Sequence, residues 1–169
     1  MSEKHARVVK CCAYAIALVL LHLLHTTLRL KIDLFGLTVT LTPFFLAAIA
    51  LYEGPYMGAA FGFAAGLLAD SAGMRLEGLL PVWYMLFFAA AGYLCARYFR
   101  RLWVSCLIFG AVCTIAQNAL TYVFYYYLFF RAAFVPSAVC ALANLALSAA
   151  LSFAPYLLVR AVYRRFAGE

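Results

Sequence analysis

Charged residues are scarce in this sequence: Asp, Glu, Lys and Arg make up 11% of its 169 residues, whereas soluble domains carry about 25%. Because 69% of the residues are hydrophobic, the composition excludes a disordered tail and an ordinary soluble enzyme. The six cysteines form no Cys-x-x-Cys pair, and no histidines and carboxylates stand at metal-ligand spacing. Nucleophile and phosphate-binding motifs are also missing. We therefore expect no catalytic residue, metal or cofactor.

The sequence does contain a succession of long apolar stretches between isolated charges. A transmembrane helix needs about 20 mostly apolar residues, so these stretches predict an all-α, polytopic membrane protein of one domain with six transmembrane helices. The predicted spans are approximately 9–29, 36–53, 55–72, 78–98, 102–128 and 134–160. We expect the second helix to be short or broken, because Thr42 would cap a helix opened by Pro43 that ends near Glu53. Residues 34–42 would complete that crossing as non-helical chain shielded by protein.

The distribution of Lys and Arg predicts the orientation, because cytoplasmic loops are enriched in these residues. With alternating spans, one face carries Lys4, Arg7, Lys10, Arg97, Arg100, Arg101, Arg160, Arg164 and Arg165. The other face carries only Arg29, Lys31, Arg75 and Arg131. Both termini are therefore expected in the cytoplasm. The net charge of +7 indicates this topology and an attraction to membrane lipids, and no nucleic-acid partner.

The third span contains a regular stripe of small residues. Gly54, Gly58, Gly62, Gly66 and Asp70 recur every fourth residue and so share one side of a helix. Glycines at this spacing allow another backbone to approach closely, which favours helix association in lipid. We interpret Gly58, Gly62, Gly66 and Asp70 as a packing surface or a surface that contacts a partner.

Asp70 is costly at its predicted position, because the C-terminal end of a helix repels negative charge. Its carboxylate therefore needs a donor, for which Arg75, Arg29, His22 and backbone amides of the following loop are candidates. One interpretation is that Asp70 fixes the loop Ser71–Gly78. The other is a contact with a partner or ligand at the outer surface, because ionisable residues within membranes are often functional.

Amide side chains predict a polar layer between the last two spans. Gln117 and Asn118 lie at nearly the same predicted depth as Asn144, so these side chains could hydrogen-bond between helices. Interhelical bonding is the favoured interpretation, and a polar pocket is the alternative. His22 and His25 share one side of the first helix, where we expect them in the headgroup zone rather than in a proton relay.

The segment 62–70, Gly-Phe-Ala-Ala-Gly-Leu-Leu-Ala-Asp, resembles the "Gly-Phe-x-x-Gly-Leu-Leu-x-Asp" signature of the MreD family of rod-shape-determining membrane proteins. Thr42-Pro43 is similar to the start of that family's second helix, and Gly58 precedes the signature at the family's distance. Gly78 and the segment 92–94, Gly-Tyr-Leu, resemble features of the next helix. These motifs cover residues 43–94, while length, basic termini and span number agree across the chain.

The resemblance implies a non-enzymatic scaffold of the cell-elongation machinery in the bacterial inner membrane. Its implied partners are an MreC-like protein, the peptidoglycan polymerase RodA and a penicillin-binding transpeptidase, through which the MreB filament is connected to cell-wall synthesis. The implied fold resembles the six-helix substrate-binding subunits of energy-coupling-factor transporters. Association of two copies of the chain is left open.

A subunit of an energy-coupling-factor vitamin transporter is the alternative function. Such subunits dock their partner through small-residue faces, and Ala13 and Ala17 have the required spacing. In a chain this rich in alanine the match has little weight. This alternative would require an outward-facing pocket, which Asp70, Asn118 and Asn144 could line.

Overall fold

The chain is described by a computed structural model that covers residues 3–31, 40–71, 78–98, 102–123 and 134–167. All the regular elements of these ranges are helices, as the apolar stretches predict. They are α1 (Glu3–Lys31), α2 (Thr42–Glu53), α3 (Pro55–Ser71), α4 (Leu79–Tyr98), α5 (Trp103–Thr121), α6 (Phe134–Leu151) and α7 (Phe153–Ala167). The all-α fold class is thereby confirmed.

Four segments within the described ranges are long and apolar enough to cross a membrane. They are Val8–Thr26, Leu79–Tyr98, Trp103–Thr121 and Ala141–Arg165. Between 11% and 39% of the residues in each of these segments are buried, which agrees with a lipid-facing surface as apolar as the interior. The 17 residues of α3 correspond to about 26 Å of helix, slightly less than the hydrocarbon thickness of a typical bilayer.

The short second helix, α2, forms the centre of the bundle. Its residues Pro43–Tyr52 are all buried, and it packs against α1, α3, α4, α5 and α7. A helix that is apolar on every side must be buried in protein or in lipid, and protein surrounds α2 in this structure. The helix begins at Thr42 with Leu41 as its N-cap, which makes no side-chain cap bond. The expected capping role of Thr42 is therefore wrong, and residues 34–39 of the predicted crossing lie outside the described ranges.

The last predicted span contains two helices rather than one. Helix α6 ends at Leu151 and α7 begins at Phe153, with a turn at Ser152. Pro155 has no amide hydrogen to donate to the carbonyl of Leu151, and its ring would clash with that carbonyl in a continuous helix. The backbone instead forms a tight turn in which Ser152 N donates to Ala149 O at 3.2 Å. The proline therefore explains the break.

Three cysteines, here called the core cysteines, fill the space around α2. Cys95, Cys106 and Cys113 are at most 5% exposed. The thiol of Cys106 donates to the carbonyl oxygen of Phe44 at a distance of 3.2 Å, at the first turn of α2. The packing is close at this point, because a Cβ on Gly110 would lie 2.8 Å from Cε1 of the Phe44 ring. These thiols therefore act as small core side chains, as free cysteines commonly do.

Candidate functional site

The glycine stripe of α3 faces α4 of the same chain. A Cβ built on Gly62 would lie 2.7 Å from the carbonyl oxygen of Tyr84, and one on Gly66 would lie 2.5 Å from the backbone nitrogen of Pro81. Real Cβ atoms essentially never come this close to backbone. The antiparallel helices α3 and α4 can therefore make this contact only because both positions lack a side chain.

Glycines also form the end of this contact at the start of α3. A Cβ on Gly58 would lie 2.9 Å from the carbonyl oxygen of Phe88. From the opposite side, a Cβ on Gly92 of α4 would lie 2.7 Å from both Cα and N of Pro55. The backbone of α4 thus occupies the positions over Gly58, Gly62 and Gly66, so a separate protein has no room there.

Gly54, the first member of the stripe in the sequence, has a different role. No atom lies within 4 Å of a Cβ built on it, but its φ is 89° and its ψ is −173°. Non-glycine residues rarely adopt this conformation. Gly54 therefore permits the sharp reversal between α2 and α3 that brings Ala50 against Gly58.

Asp70 connects the end of α3 to the start of α4. Its Oδ2 accepts a hydrogen bond from the backbone amide of Gly78 at a distance of 2.7 Å, and Gly78 has a φ of 88° immediately before α4. Its Oδ1 is buried without a hydrogen-bond partner among the described residues. The bond to Gly78 agrees with a role in fixing the connection. The side chains of Arg29 and Arg75, two of the predicted donors, lie outside the described part of the structure, and an outward partner contact stays a prediction.

One of the three amides of the predicted polar layer has its partner on a helix other than the one expected. The Tyr84 hydroxyl of α4 donates to Oε1 of Gln117 on α5 at 2.6 Å, so this amide bonds to α4. Asn118 and Asn144 are half-buried. On α6 the hydroxyl of Ser148, fully buried, accepts from the Thr40 amide at 2.9 Å and so fixes the chain that leads into α2.

A mostly buried ion pair, which was not predicted from the sequence, joins α1 to the end of α2. The Lys10 ammonium lies 2.8 Å from Oε2 of Glu53, with the two side chains 16% and 10% exposed. The Tyr14 hydroxyl donates to Oε1 of the same carboxylate at 2.9 Å. Tyr14 is fully buried and its ring packs edge-on against Phe61 of α3. Glu53 therefore holds α1 against α2 through two polar contacts, and the Tyr14 ring packs α1 against α3.

Three tyrosines extend this polar contact to α7. The hydroxyl of Tyr52 donates to that of Tyr156 at 3.0 Å, and the ring centroids of Tyr52 and Tyr163 are 5.1 Å apart. The Lys10 ammonium lies 5.2 Å from the centroid of the Tyr163 ring, within the range of a cation–π interaction. We call Lys10, Tyr52, Glu53, Tyr156 and Tyr163 the polar junction.

The polar junction lies within the length of the bundle rather than beyond its end. Pro55, two residues after Glu53, contacts Gly92 of α4, and α4 continues for six residues to Tyr98. At 1.5 Å per residue this corresponds to about 9 Å. The sequence did contain a signal for the pair: Lys10 and Glu53 both mark span boundaries, and alternation of the spans places both at the same end of the bundle.

Comparison with known proteins finds no match: no family model, curated protein or solved structure is similar to the chain at a significant level. Among the described residues, no group of three His, Cys, Asp or Glu side chains is arranged to hold a metal ion. The geometry thus provides close helix packing and a charged interhelical junction.

Proposed function

We propose that this protein is a non-enzymatic scaffold of the bacterial cell-elongation machinery, placed in the inner membrane with six crossings and both termini in the cytoplasm. The observation that carries this proposal is the segment 62–70, which resembles the MreD signature and in which the small and acidic positions have structural roles. Gly62 and Gly66 allow α3 to pack on the backbone of α4, and Asp70 bonds to the start of α4. The apolar positions Phe63 and Leu67 of the segment are 42% and 51% exposed.

Basic residues support the proposed orientation. Arg97 at the end of α4, together with Arg164 and Arg165 in the last turn of α7, belongs to the same end of the bundle as Lys10 near the start of α1. In a membrane, an excess of Lys and Arg at one end of the bundle favours the orientation that places this end on the cytoplasmic side.

The partners in this proposal are an MreC-like protein, RodA and a penicillin-binding transpeptidase. Because the backbone of α4 covers the glycines of α3, partner helices would contact the outside of the bundle. The outer surface of α1 offers large exposed apolar side chains, including Ile16, Leu20 and Leu23, which are 61%, 61% and 55% exposed.

Depletion of the protein in its own bacterium tests the proposal. We expect rod-shaped cells to become round as the protein is lost, and a plasmid copy of the full chain to restore rods. A tagged MreC-like protein should co-purify with the chain from solubilised membranes. Genes for MreB and MreC beside its gene would agree with this function. Rods of normal shape after depletion would contradict the proposal, and loss of vitamin uptake in those cells would favour the transporter alternative.

A further inference from the structure

Positive charge exceeds negative charge at the polar junction. Arg160 and Arg164 lie on α7 one and two turns after Tyr156, whose hydroxyl bonds to that of Tyr52, and Lys10 lies over the ring of Tyr163. Glu53 is the acid that faces these groups among the described residues, and it is already paired with Lys10. The two arginines are therefore available to an anionic ligand.

The two arginines lie on the side of α7 that faces the junction. Tyr156, Arg160 and Arg164 are four residues apart and so share one side of the helix. Tyr156 at the start of this row is 4% exposed, Arg160 is half-buried, and Arg164 is exposed. The row thus leads from the core of the bundle to its surface, which places charge where a headgroup of a surrounding lipid can reach it.

Exposed apolar side chains lie beside these charges on α7, toward the middle of the bundle. Leu157 and Leu158 precede Arg160 and are 41% and 42% exposed. A ligand that fits this surface combines an anionic group with apolar chains. This combination distinguishes a phospholipid from a free phosphate ion.

We propose that the surface between α1 and α7 beside the polar junction is a binding site for the phosphate of an anionic phospholipid. Arg160 and Arg164 contact the headgroup phosphate, and the acyl chains lie along the exposed leucines of α7. Lys10 remains paired with Glu53, so the positive excess at the site is that of the two arginines. Basic surfaces between transmembrane helices commonly bind anionic headgroups. This inference is independent of the proposed scaffold function.

A pair of double variants with equal charge change tests the proposal. Arg160→Gln with Arg164→Gln removes two positive charges at the site, and Arg97→Gln with Arg165→Gln removes two at exposed positions. Phosphatidylglycerol is titrated into the purified full chain in zwitterionic detergent, and bound lipid is followed by native mass spectrometry. We expect the first variant to weaken binding about 25-fold and the second to change it less than threefold. Circular dichroism and gel filtration establish that both variants are folded.

Two comparisons identify the ligand. Phosphatidylcholine, which has no net charge, should bind the wild-type chain far more weakly than phosphatidylglycerol, and millimolar inorganic phosphate should not displace the bound lipid. Equal loss of binding in both double variants would overturn the proposal, because it would show general surface attraction. Unchanged binding in the Arg160 and Arg164 variant would also overturn it, as would displacement by inorganic phosphate.

Discussion

The mostly buried ion pair between Lys10 and Glu53 should stabilise the contact between α1 and α2 measurably. Glu53→Gln preserves the shape of the side chain and an oxygen for Tyr14, but it leaves the Lys10 ammonium without its counter-charge. Hydrogen bonds to charged groups contribute about 1.5–3 kcal/mol. Breaking a fully buried pair costs about 3–5 kcal/mol, but Lys10 is 16% exposed and its flexible side chain can move toward water. We therefore expect a loss of about 2 kcal/mol in the free energy of unfolding.

The double-mutant cycle separates the pair from its surroundings. Lys10→Met should also lose about 2 kcal/mol, because it leaves the Glu53 carboxylate with Tyr14 alone. The double variant removes both charges and should lose about 2 kcal/mol less than the sum of the single variants, since contacting residues couple by about 0.5–3 kcal/mol. The assay is reversible unfolding of the purified chain in mixed micelles, titrated with sodium dodecyl sulfate and followed by circular dichroism.

A matched control removes charge without breaking a buried contact. Arg97→Met and Arg165→Met alter exposed side chains and should each change the free energy of unfolding by less than about 0.5 kcal/mol. Losses from Lys10→Met and Glu53→Gln that add within about 0.5 kcal/mol would refute the reasoning, because independent sites behave in this way.

Three further predictions concern the interior of the bundle. Ser148→Ala removes the acceptor of the Thr40 amide and should lower the free energy of unfolding by about 1–3 kcal/mol. Ser148→Thr retains a hydroxyl and should lose less stability than Ser148→Ala. Equal stability of the wild type and Ser148→Ala would contradict this prediction. Tyr84→Phe loses the bond to Gln117 and should cost about 1 kcal/mol in the same unfolding assay, whereas no loss would mean that the amide bonds elsewhere. A membrane-permeant maleimide should label Cys12 in the folded protein and the core cysteines only after denaturation, as measured by peptide mapping with mass spectrometry. Rapid labelling of the core cysteines in the folded protein would contradict the packing around α2.

Several features of the fold could be predicted because they depend on local sequence. The Thr42-Pro43 start and the charge at Glu53 predict a short second helix, and the structure gives one of 12 residues. The four-residue spacing of Gly58, Gly62 and Gly66 predicts a surface of close approach. Spacing identifies one side of a helix but not the neighbour that covers it. The identity of that neighbour, α4, therefore required the structure.

Other features depend on contacts between distant parts of the chain. Lys10 and Glu53 served in the sequence analysis as boundaries between spans, so their pairing was not considered. Gln117 was expected to bond within a layer of amides. Tyr84 was counted among the apolar residues of its span, although its hydroxyl is a donor. Pro155 could have predicted the break before α7, because an interior proline interrupts a helix.

The central claim is that the glycines of α3 are used for packing within the chain. Gly62→Leu in the isolated protein tests it most directly, because the side chain would meet the backbone of Tyr84, which cannot move aside like a flexible side chain. We expect a loss of about 3 kcal/mol in the free energy of unfolding with no partner present, while Ala60→Leu on the exposed side of α3 should change it by less than about 0.5 kcal/mol. Wild-type stability of isolated Gly62→Leu, together with loss of co-purification of the MreC-like protein, would contradict the claim and assign the stripe to a partner.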